Sequence, residues 1–135
     1  MSEVVVIDFD GTIVEHAFPH IGEPLPLAFE VIKEIKEAGY KIILWTCRED
    51  DSQLVHNSYL THAVEFCRQN GVEFDAVNES IPSEDFRPEG FTLRKPYAMF
   101  HIDDKNFGGF PGWHIVRKVL IEKHTLKVEW KTTES

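Results

Sequence analysis

The chain has 135 residues, which suits one compact domain and is too short for two, and its 42% hydrophobic and 27% charged residues are typical of globular proteins. Its net charge of −9 argues against general binding to nucleic acids or anionic membranes, because the field of the protein would repel their phosphates. A small phosphorylated ligand is compatible with this charge, since it needs only local positive charge and a metal ion.

The first predicted elements are a buried strand, an excursion and a helix. Residues 4–7 form a short run of β-branched residues that is typical of a buried parallel strand. Residues 13–24, called the flap below, contain prolines and a glycine and predict an irregular excursion or a hairpin. Apolar residues at helical spacing then predict a helix over 27–38, which Gly39 would end.

A second strand and a second helix follow. The apolar run at 41–45 predicts a strand that ends at Thr46. A helix is predicted within 53–70, but its start is open because Asn57 and Ser58 could act as a new N-cap.

The last part of the chain predicts two more strands, a helix and a tail. Residues 74–77 form a short third strand, and residues 99–102 form a fourth. A helix is predicted over 114–123. The C-terminal tail, 125–135, begins with alternating apolar residues at 126–130, which is compatible with an edge strand.

This alternation of strands and helices predicts an α/β, three-layer Rossmann-like fold with a parallel central sheet, in a single domain over residues 1–135. Ligands of such sheets bind at the carboxyl ends of the strands. Polar side chains follow three of the predicted strands at those ends, namely Asp8, Thr46, Asp103 and Asp104.

The acids at these strand ends indicate a metal site. Asp8 and Asp10 are two residues apart, which in an extended chain puts both carboxylates on one side, and Gly11 permits an unusual turn beside them. Clustered carboxylates repel one another unless a cation joins them, and Mg²⁺ prefers oxygen ligands. Asp103 and Asp104 could supply further oxygens.

Four carboxylates carry more negative charge than one metal ion neutralises. The remaining charge would repel a phosphate ligand, so the site would also require a cationic side chain. Lys95 is the candidate, with Arg94 as a substitute, because both come shortly before the fourth strand. The Thr46 hydroxyl can donate to a phosphoryl oxygen. Arg48, just after it, either meets the substrate or pairs with a neighbouring acid at 49–50.

Four segments in this order resemble the signatures of the haloacid dehalogenase superfamily of phosphohydrolases. The sequence DFDGT at 8–12 resembles the first signature, and ILWT, which ends at Thr46, resembles the second. Lys95, within RKPYAMFHIDD, resembles the third, and the acidic pair at 103–104 resembles the fourth. The resemblance therefore extends over most of the chain.

The resemblance implies a phosphatase. Asp8 would attack phosphorus and form an aspartyl-phosphate. Asp10 would protonate the leaving oxygen and then take a proton from water, and this second acid separates phosphatases from dehalogenases in the superfamily. Thr46 and Lys95 would hold the transferring phosphoryl group. Arg48 joins them as a substrate-binding candidate only from its position just after Thr46.

The resemblance also implies the metal ligands. Mg²⁺ would bind the Asp8 carboxylate, the main-chain carbonyl of Asp10 and one acid of the fourth signature. Asp104 is favoured as the direct ligand, with Asp103 acting through water or Lys95.

The intervals between the signatures are too short for the cap domain that many members carry. They hold the flap and one helix, and then a helix, a short strand and the loop at 78–93. The chain is therefore similar to the capless branch, whose members act on large substrates or complete their site by forming oligomers. This implies a small phosphate ester or a phosphorylated polymer end as substrate, with a homo-oligomer as one arrangement.

Two other functions compete with this interpretation. A receiver-like phosphoacceptor signalling module also combines a parallel sheet with clustered acids, a Thr and a Lys. Its acceptor would end the third strand, where this chain has only Glu79 near the turn. A catalytically silent phosphate-binding protein on the same fold is the other alternative, because fold does not fix function.

Composition gives a last set of expectations. Cys47 and Cys67 lack metal-binding spacing and are expected to be reduced thiols in a cytoplasmic protein. No segment approaches membrane-spanning length. His16, in the flap, is interpreted as a surface histidine, with a place at the entrance of the site as the alternative.

Overall fold

An open, parallel sheet organises the chain in a computed structural model that describes residues 4–51, 57–79, 81, 100–105 and 108–122. The elements, in chain order, are β1 (Val4–Ile7), α1 (Ala28–Glu37), β2 (Lys41–Leu44), β3 (Asp50–Asp51), β4 (Asn57–Ser58), α2 (Tyr59–Gln69), β5 (Ala76–Val77), β6 (Phe100–Ile102) and α3 (Trp113–Glu122). Strands β3 and β4 form a separate antiparallel pair.

The main sheet has the strand order β5–β2–β1–β6, and all of its pairs are parallel. Strand β1 is therefore central, with Val5 opposite Ile42 on one side and opposite Phe100 on the other. The chain has an α/β Rossmann-like fold, as predicted, and no separate cap domain is present among the described residues. Because the strands are parallel, their carboxyl ends lie at one edge of the sheet.

The core lies mainly on one face of the sheet. Val5 and Ile7 of β1 point to that face and share a cluster with buried residues of α1, α2 and α3. A smaller cluster of Val4, Val6 and Ile43 lies on the opposite face. The described residues thus show the sheet and one helical layer of the predicted three-layer arrangement.

The predicted elements agree closely with the observed ones where the apolar pattern is regular. Helix α1 differs from the predicted range 27–38 by one residue at each end, and β1 matches its range. The predicted tail strand, at 125–135, lies outside the described residues.

The start of α2, which the sequence left open, is at Tyr59. The side chain of Ser58 makes no capping bond. Asp50 takes that role, because its Oδ1 accepts the backbone N–H groups of Leu60 and Thr61 at 3.0 Å each, and its Oδ2 accepts the Thr61 hydroxyl. The Thr61 hydroxyl, followed by its backbone N–H, lowers the pKa of Asp50.

The flap is a hairpin that returns the chain to the sheet. The Leu25 N–H donates to the Ile13 carbonyl at 2.8 Å, and the Glu15 N–H donates to the Glu23 carbonyl at 2.8 Å. The side chain of Trp113 fixes its base from α3, because its indole N–H donates to the Thr12 carbonyl at 2.7 Å. This anchoring holds the flap beside the carboxyl end of β1.

Both cysteines are free thiols. Cys67 is buried, and burial raises the pKa of its thiol to about 12, so this thiol stays protonated at neutral pH. Cys47 is exposed. No helix of the described residues is long and apolar enough to cross a membrane.

Candidate functional site

The ends of β1, β2 and β6 bring the predicted acids together. The backbone N–H of Asp8 donates to the Ile102 carbonyl at 2.9 Å, so the end of β1 lies beside the end of β6. The side chain of Asp104 lies beside the Asp8 carboxyl and raises its pKa. On the other side, the Trp45 N–H donates to the Ile7 carbonyl at 2.9 Å, which brings the segment after β2 to the same edge.

Two adjoining cavities open at this edge. The larger is a cleft of about 350 Å³, lined by Asp8, Asp10, His16, Phe18, Thr46, Cys47, Arg48, Asp104 and Lys105. The smaller, of about 140 Å³, shares Asp8 and Thr46 with it and adds Asp103. Lys95 and its substitute Arg94 lie outside the described residues. The other predicted site residues all line one of the two cavities.

The Asp8 carboxyl has a strongly perturbed environment. Its pKa is raised from 3.8 to about 6, with burial as the largest cause. The backbone N–H of Phe9 acts in the opposite direction, and the nearby Asp104 and Asp103 contribute to the rise in pKa. Two carboxyl groups in contact need either a shared proton or a cation between them. The site therefore favours either a proton shared by the two acids or a bound cation.

The residues present fit Mg²⁺. No group of three or more His, Cys, Asp or Glu side chains is arranged to hold a metal ion in the described ranges. Mg²⁺ does not need such a group, because it is usually bound through one or two carboxylates and keeps several waters. The touching carboxyls of Asp8 and Asp104 supply that number, and the main-chain carbonyl of Asp10 is the third candidate oxygen.

Gly11 allows the chain to pass this close to the acids. Its φ of +82° is in the left-handed region, where a side chain is strained. A Cβ at this position would also collide with the carboxylate of Asp104 and the imidazole of His16. The first signature-like segment therefore needs glycine here for its backbone conformation, and a side chain would in addition displace the ends of the Asp104 and His16 side chains.

Arg48 is committed to Asp10. Its Nε donates to Oδ2 of Asp10 at 2.8 Å and its Nη2 donates to Oδ1 at 2.8 Å, which is a two-pronged pair between a planar guanidinium and a carboxylate. The guanidinium also donates to the main-chain carbonyls of Pro19, His20 and Tyr59, the second of them at 2.8 Å. The sequence left Arg48 between the substrate and an acid at 49–50, and the structure pairs it with Asp10.

The guanidinium of Arg48 lies between two aromatic rings. Its central carbon is 5.0 Å from the ring centroid of Phe9 and 5.1 Å from that of Phe18. The Arg48 side chain is only 1% exposed. Arg48 thus joins the acid of the site to the flap and to the first residue of α2.

We expect Arg48→Met to destabilise the protein by about 3–5 kcal/mol, because it removes one partner of a buried ion pair and leaves Asp10 and three carbonyls without their donor. Arg48→Lys should lose less stability than Arg48→Met but remain less stable than the wild type, since an ammonium cannot make the two-pronged pair. The measurement is the free energy of unfolding in urea.

Arg68 offers a matched control for this substitution. It pairs with Glu65 one turn away on α2, and both side chains are largely exposed. Arg68→Met should change the stability little, because exposed pairs contribute little. A loss of stability in Arg48→Met no larger than in Arg68→Met would contradict the role given to the Arg48–Asp10 pair.

The loop that carries Thr46 is held by Asn78, which the sequence did not single out. The Thr46 N–H donates to Oδ1 of Asn78 at 2.8 Å, and Asn78 itself has a positive φ of 55°. The Thr46 hydroxyl oxygen accepts a hydrogen bond from the backbone N–H of Arg48 at 3.1 Å. The same hydroxyl can donate its own hydrogen to a phosphoryl oxygen. Asn78 directly follows β5, so its place at the same sheet edge was the available signal.

His16 and Lys105 also line the cleft. His16, which the sequence favoured as a surface residue, is exposed, yet its Nε2 lies 2.8 Å from Oδ2 of Asp104. Lys105 lines both cavities and follows the acidic pair directly. Its position next to Asp104 in the chain could have marked it as a second cation of the site.

The chain resembles a solved structure of a conserved protein from Bacteroides thetaiotaomicron. The two are 41% identical, the match covers 91% of this chain and 93% of the other, and the TM-score is 0.75. The chain belongs to the family of this conserved protein. No family model and no curated protein matches the chain. The likeness extends over nearly the whole of both chains.

Proposed function

We propose that this protein is a Mg²⁺-dependent phosphatase of the haloacid dehalogenase superfamily, which hydrolyses phosphate monoesters through an aspartyl-phosphate on Asp8. The observation that carries the proposal is the contact between the Asp8 and Asp104 carboxyls at the carboxyl edge of a parallel sheet, inside an open cleft. Such a contact suits a bound cation, and a cation beside a buried carboxylate suits attack on a phosphate ester.

The first half-reaction would transfer the phosphoryl group to the protein. An oxygen of Asp8 bonds to phosphorus while the bond from phosphorus to the ester oxygen breaks. The departing oxygen takes a proton from Asp10 and leaves as an alcohol. The two-pronged pair with Arg48 holds the Asp10 carboxyl in a fixed position at the cleft.

The second half-reaction would return the protein to its starting state. Water attacks phosphorus of the aspartyl-phosphate, gives its proton to the Asp10 carboxylate, and releases Asp8 and inorganic phosphate. The proton that Asp10 gains here is the one that it donates in the next cycle.

Asp8, Asp104 and the main-chain carbonyl of Asp10 would hold Mg²⁺, which when bound would offset the negative charge of the acids and of the phosphoryl oxygens. Asp103 would support this arrangement from the adjoining cavity, through water or Lys95. Thr46 would donate to a phosphoryl oxygen. Lys95 is proposed as the second group that holds the phosphoryl group.

The open cleft favours a substrate with an accessible phosphate, either a small phosphate ester or a phosphorylated polymer end. The described residues contain no cap over the sheet edge that would enclose the substrate. Completion of the site by a second copy of the chain is part of the same proposal.

Trapping the phosphoenzyme in the wild type and in Asp10→Asn tests the proposed function. Borohydride reduces an acyl phosphate to an alcohol, so a phosphorylated Asp8 would appear as homoserine in a peptide map. We expect Asp10→Asn to slow the release of phosphate by ~10²–10⁴-fold, because the attacking water loses its base. The phosphorylated protein should therefore accumulate, and the yield of homoserine after reduction should rise. The slowdown of the first step should be smaller for an aryl than for an alkyl phosphate, since an aryl oxide leaves without a proton.

Glu30→Gln is the matched control, because Glu30 is an exposed acid on α1 and does not line the cleft. It should leave both half-reactions unchanged. A wild type that forms a long-lived phosphoenzyme without turnover, and an Asp10→Asn variant with small and equal effects on both esters, would instead support a receiver-like module. A protein that binds phosphate esters but never becomes phosphorylated would support the silent binding protein.

A further inference from the structure

Phe18 is an exposed aromatic side chain at the cleft that the phosphatase roles leave unused. It is 56% exposed, and Val119 is the other large apolar side chain that is exposed within the described ranges. Val119 lies on α3, whereas Phe18 lines the same cleft as Asp8 and Asp10. An apolar ring beside convergent polar groups is characteristic of small-molecule sites.

The ring of Phe18 is held in place although it is exposed. One face lies over the Arg48 guanidinium, with 5.1 Å between the central carbon and the ring centroid. The ring also packs edge to face against Tyr59, with 5.2 Å between the centroids. The next two carbonyls of the chain, those of Pro19 and His20, accept hydrogen bonds from Arg48. A ligand that stacks on this ring would therefore spend little free energy on ordering it.

The position of the ring relative to the chemistry decides what it can contact. Under the proposed mechanism phosphorus lies at Asp8 and the departing oxygen lies near Asp10. Asp10 is bonded to Arg48, and Arg48 lies under Phe18. The ring is thus on the side of the cleft from which the alcohol leaves, and only Arg48 lies between it and the proposed proton donor, Asp10.

Resting on the proposed function, we propose that Phe18 is a stacking platform for the leaving group, and that the substrates are phosphate monoesters whose alcohol carries a planar aromatic ring. Two kinds of ester share this chemistry. In a nucleoside monophosphate the ring is a base joined through a sugar, and in an aryl phosphate the ring is attached to the ester oxygen itself. Stacking is not selective among rings, because every aromatic ring has a flat face.

Paired substrates that differ in the ring separate this proposal from general phosphatase activity. Adenosine 5′-monophosphate is compared with ribose 5-phosphate, and phosphotyrosine with phosphoserine, each as the ratio of kcat/KM within the pair. We expect the wild type to favour the member with the ring in at least one pair, and Phe18→Leu to reduce that ratio roughly tenfold. Phe18→Tyr should keep the ratio, and Val119→Ala, the control at the other exposed apolar side chain, should leave it unchanged.

The pattern across the pairs identifies the source of the ring. If Phe18→Leu lowers the kcat/KM ratio only in the pair with adenosine 5′-monophosphate, the substrate is a nucleotide. If it lowers the ratio only in the pair with phosphotyrosine, the substrate is an aryl ester. If Phe18→Leu lowers kcat/KM equally for both members of a pair, the ring only supports the flap, and the proposal is overturned. A wild type that favours the ring-free member in both pairs would overturn it as well.

Binding measurements keep the test valid if no ester is hydrolysed. Calorimetry of Asp8→Asn with Mg²⁺ compares the dissociation constants of the same paired esters, with and without the added Phe18→Leu substitution. Tighter binding of the ring-bearing member that Phe18→Leu removes would support the platform even where the phosphatase proposal fails. Equal binding of both members would overturn the platform even where hydrolysis is observed.

Discussion

Asp8→Asn is expected to lower the turnover of phosphate esters on the order of 10⁴–10⁶-fold, the range found when a catalytic group of a covalent mechanism is removed. The amide keeps the shape of the side chain but cannot attack phosphorus. The measurement is phosphate release at saturating ester and Mg²⁺, with folding checked by circular dichroism. Removal of the acid should also prevent any aspartyl-phosphate from forming.

Asp75→Asn is a matched control for this change. Asp75 is another aspartate next to the sheet, but its Oδ2 accepts the backbone N–H of Ile42, away from the cleft. An asparagine there keeps an acceptor oxygen, so activity should be retained. If Asp8→Asn kept substantial turnover, or if a phosphorylated residue mapped to Asp103, the assignment of the nucleophile would be wrong.

Removal of Mg²⁺ is expected to reduce the activity to background, and its return should restore it. The carboxyls of Asp8 and Asp104 are in contact, so without a cation they share a proton or repel each other, and neither state supports attack on a negatively charged ester. The measurement is phosphate release after exhaustive chelation and after titration with Mg²⁺. Full activity in the chelated protein would contradict the metal assignment.

The same carboxyl predicts how pH acts on the stability of the metal-free protein. The pKa of Asp8 is raised from 3.8 to about 6, mainly by burial, so the folded state holds this proton more tightly than the unfolded state. The stabilising contribution of the protonated acid is complete below pH ~4 and is lost as the pH rises through ~6. The free energy of unfolding of the chelated wild type should therefore fall over this interval more than that of Asp8→Asn.

Mg²⁺ should reverse this trend in the wild type. It binds the ionised acids of the folded state, so it should raise the unfolding temperature at pH 7 and have little effect at pH 4. This readout does not depend on finding a substrate. An equal shift at both pH values would indicate a cation bound elsewhere on the protein.

The fold was predictable from the sequence because its core elements have regular patterns. The β-branched run of β1 and the apolar stripe of α1 carry their own periodicity, and both are present with nearly the predicted bounds. The start of α2 could not be predicted in this way. Its cap comes from Asp50, which is separated from Leu60 by a strand pair, and sequence rules consider only neighbouring residues as caps.

The candidate site was predictable to the extent that it depends on strand ends. Asp8 and Asp104 are far apart in the chain, yet they meet because parallel strands bring their carboxyl ends to one edge. The partner of Arg48 was not predicted, because Asp10 and Arg48 lie in irregular segments that follow the neighbouring strands β1 and β2. Side chains that meet across an irregular segment leave no periodic signal, and the same holds for His16 and Phe18.

The attachment of the flap to Arg48 has a consequence for the timing of the reaction. Carbonyl oxygens do not titrate, so the bonds from Arg48 to Pro19, His20 and Tyr59 persist whether Asp10 carries a proton or not. The proposed proton cycle on Asp10 can then proceed without lifting the flap. Under the proposed function, we therefore expect turnover to proceed without a movement of the flap.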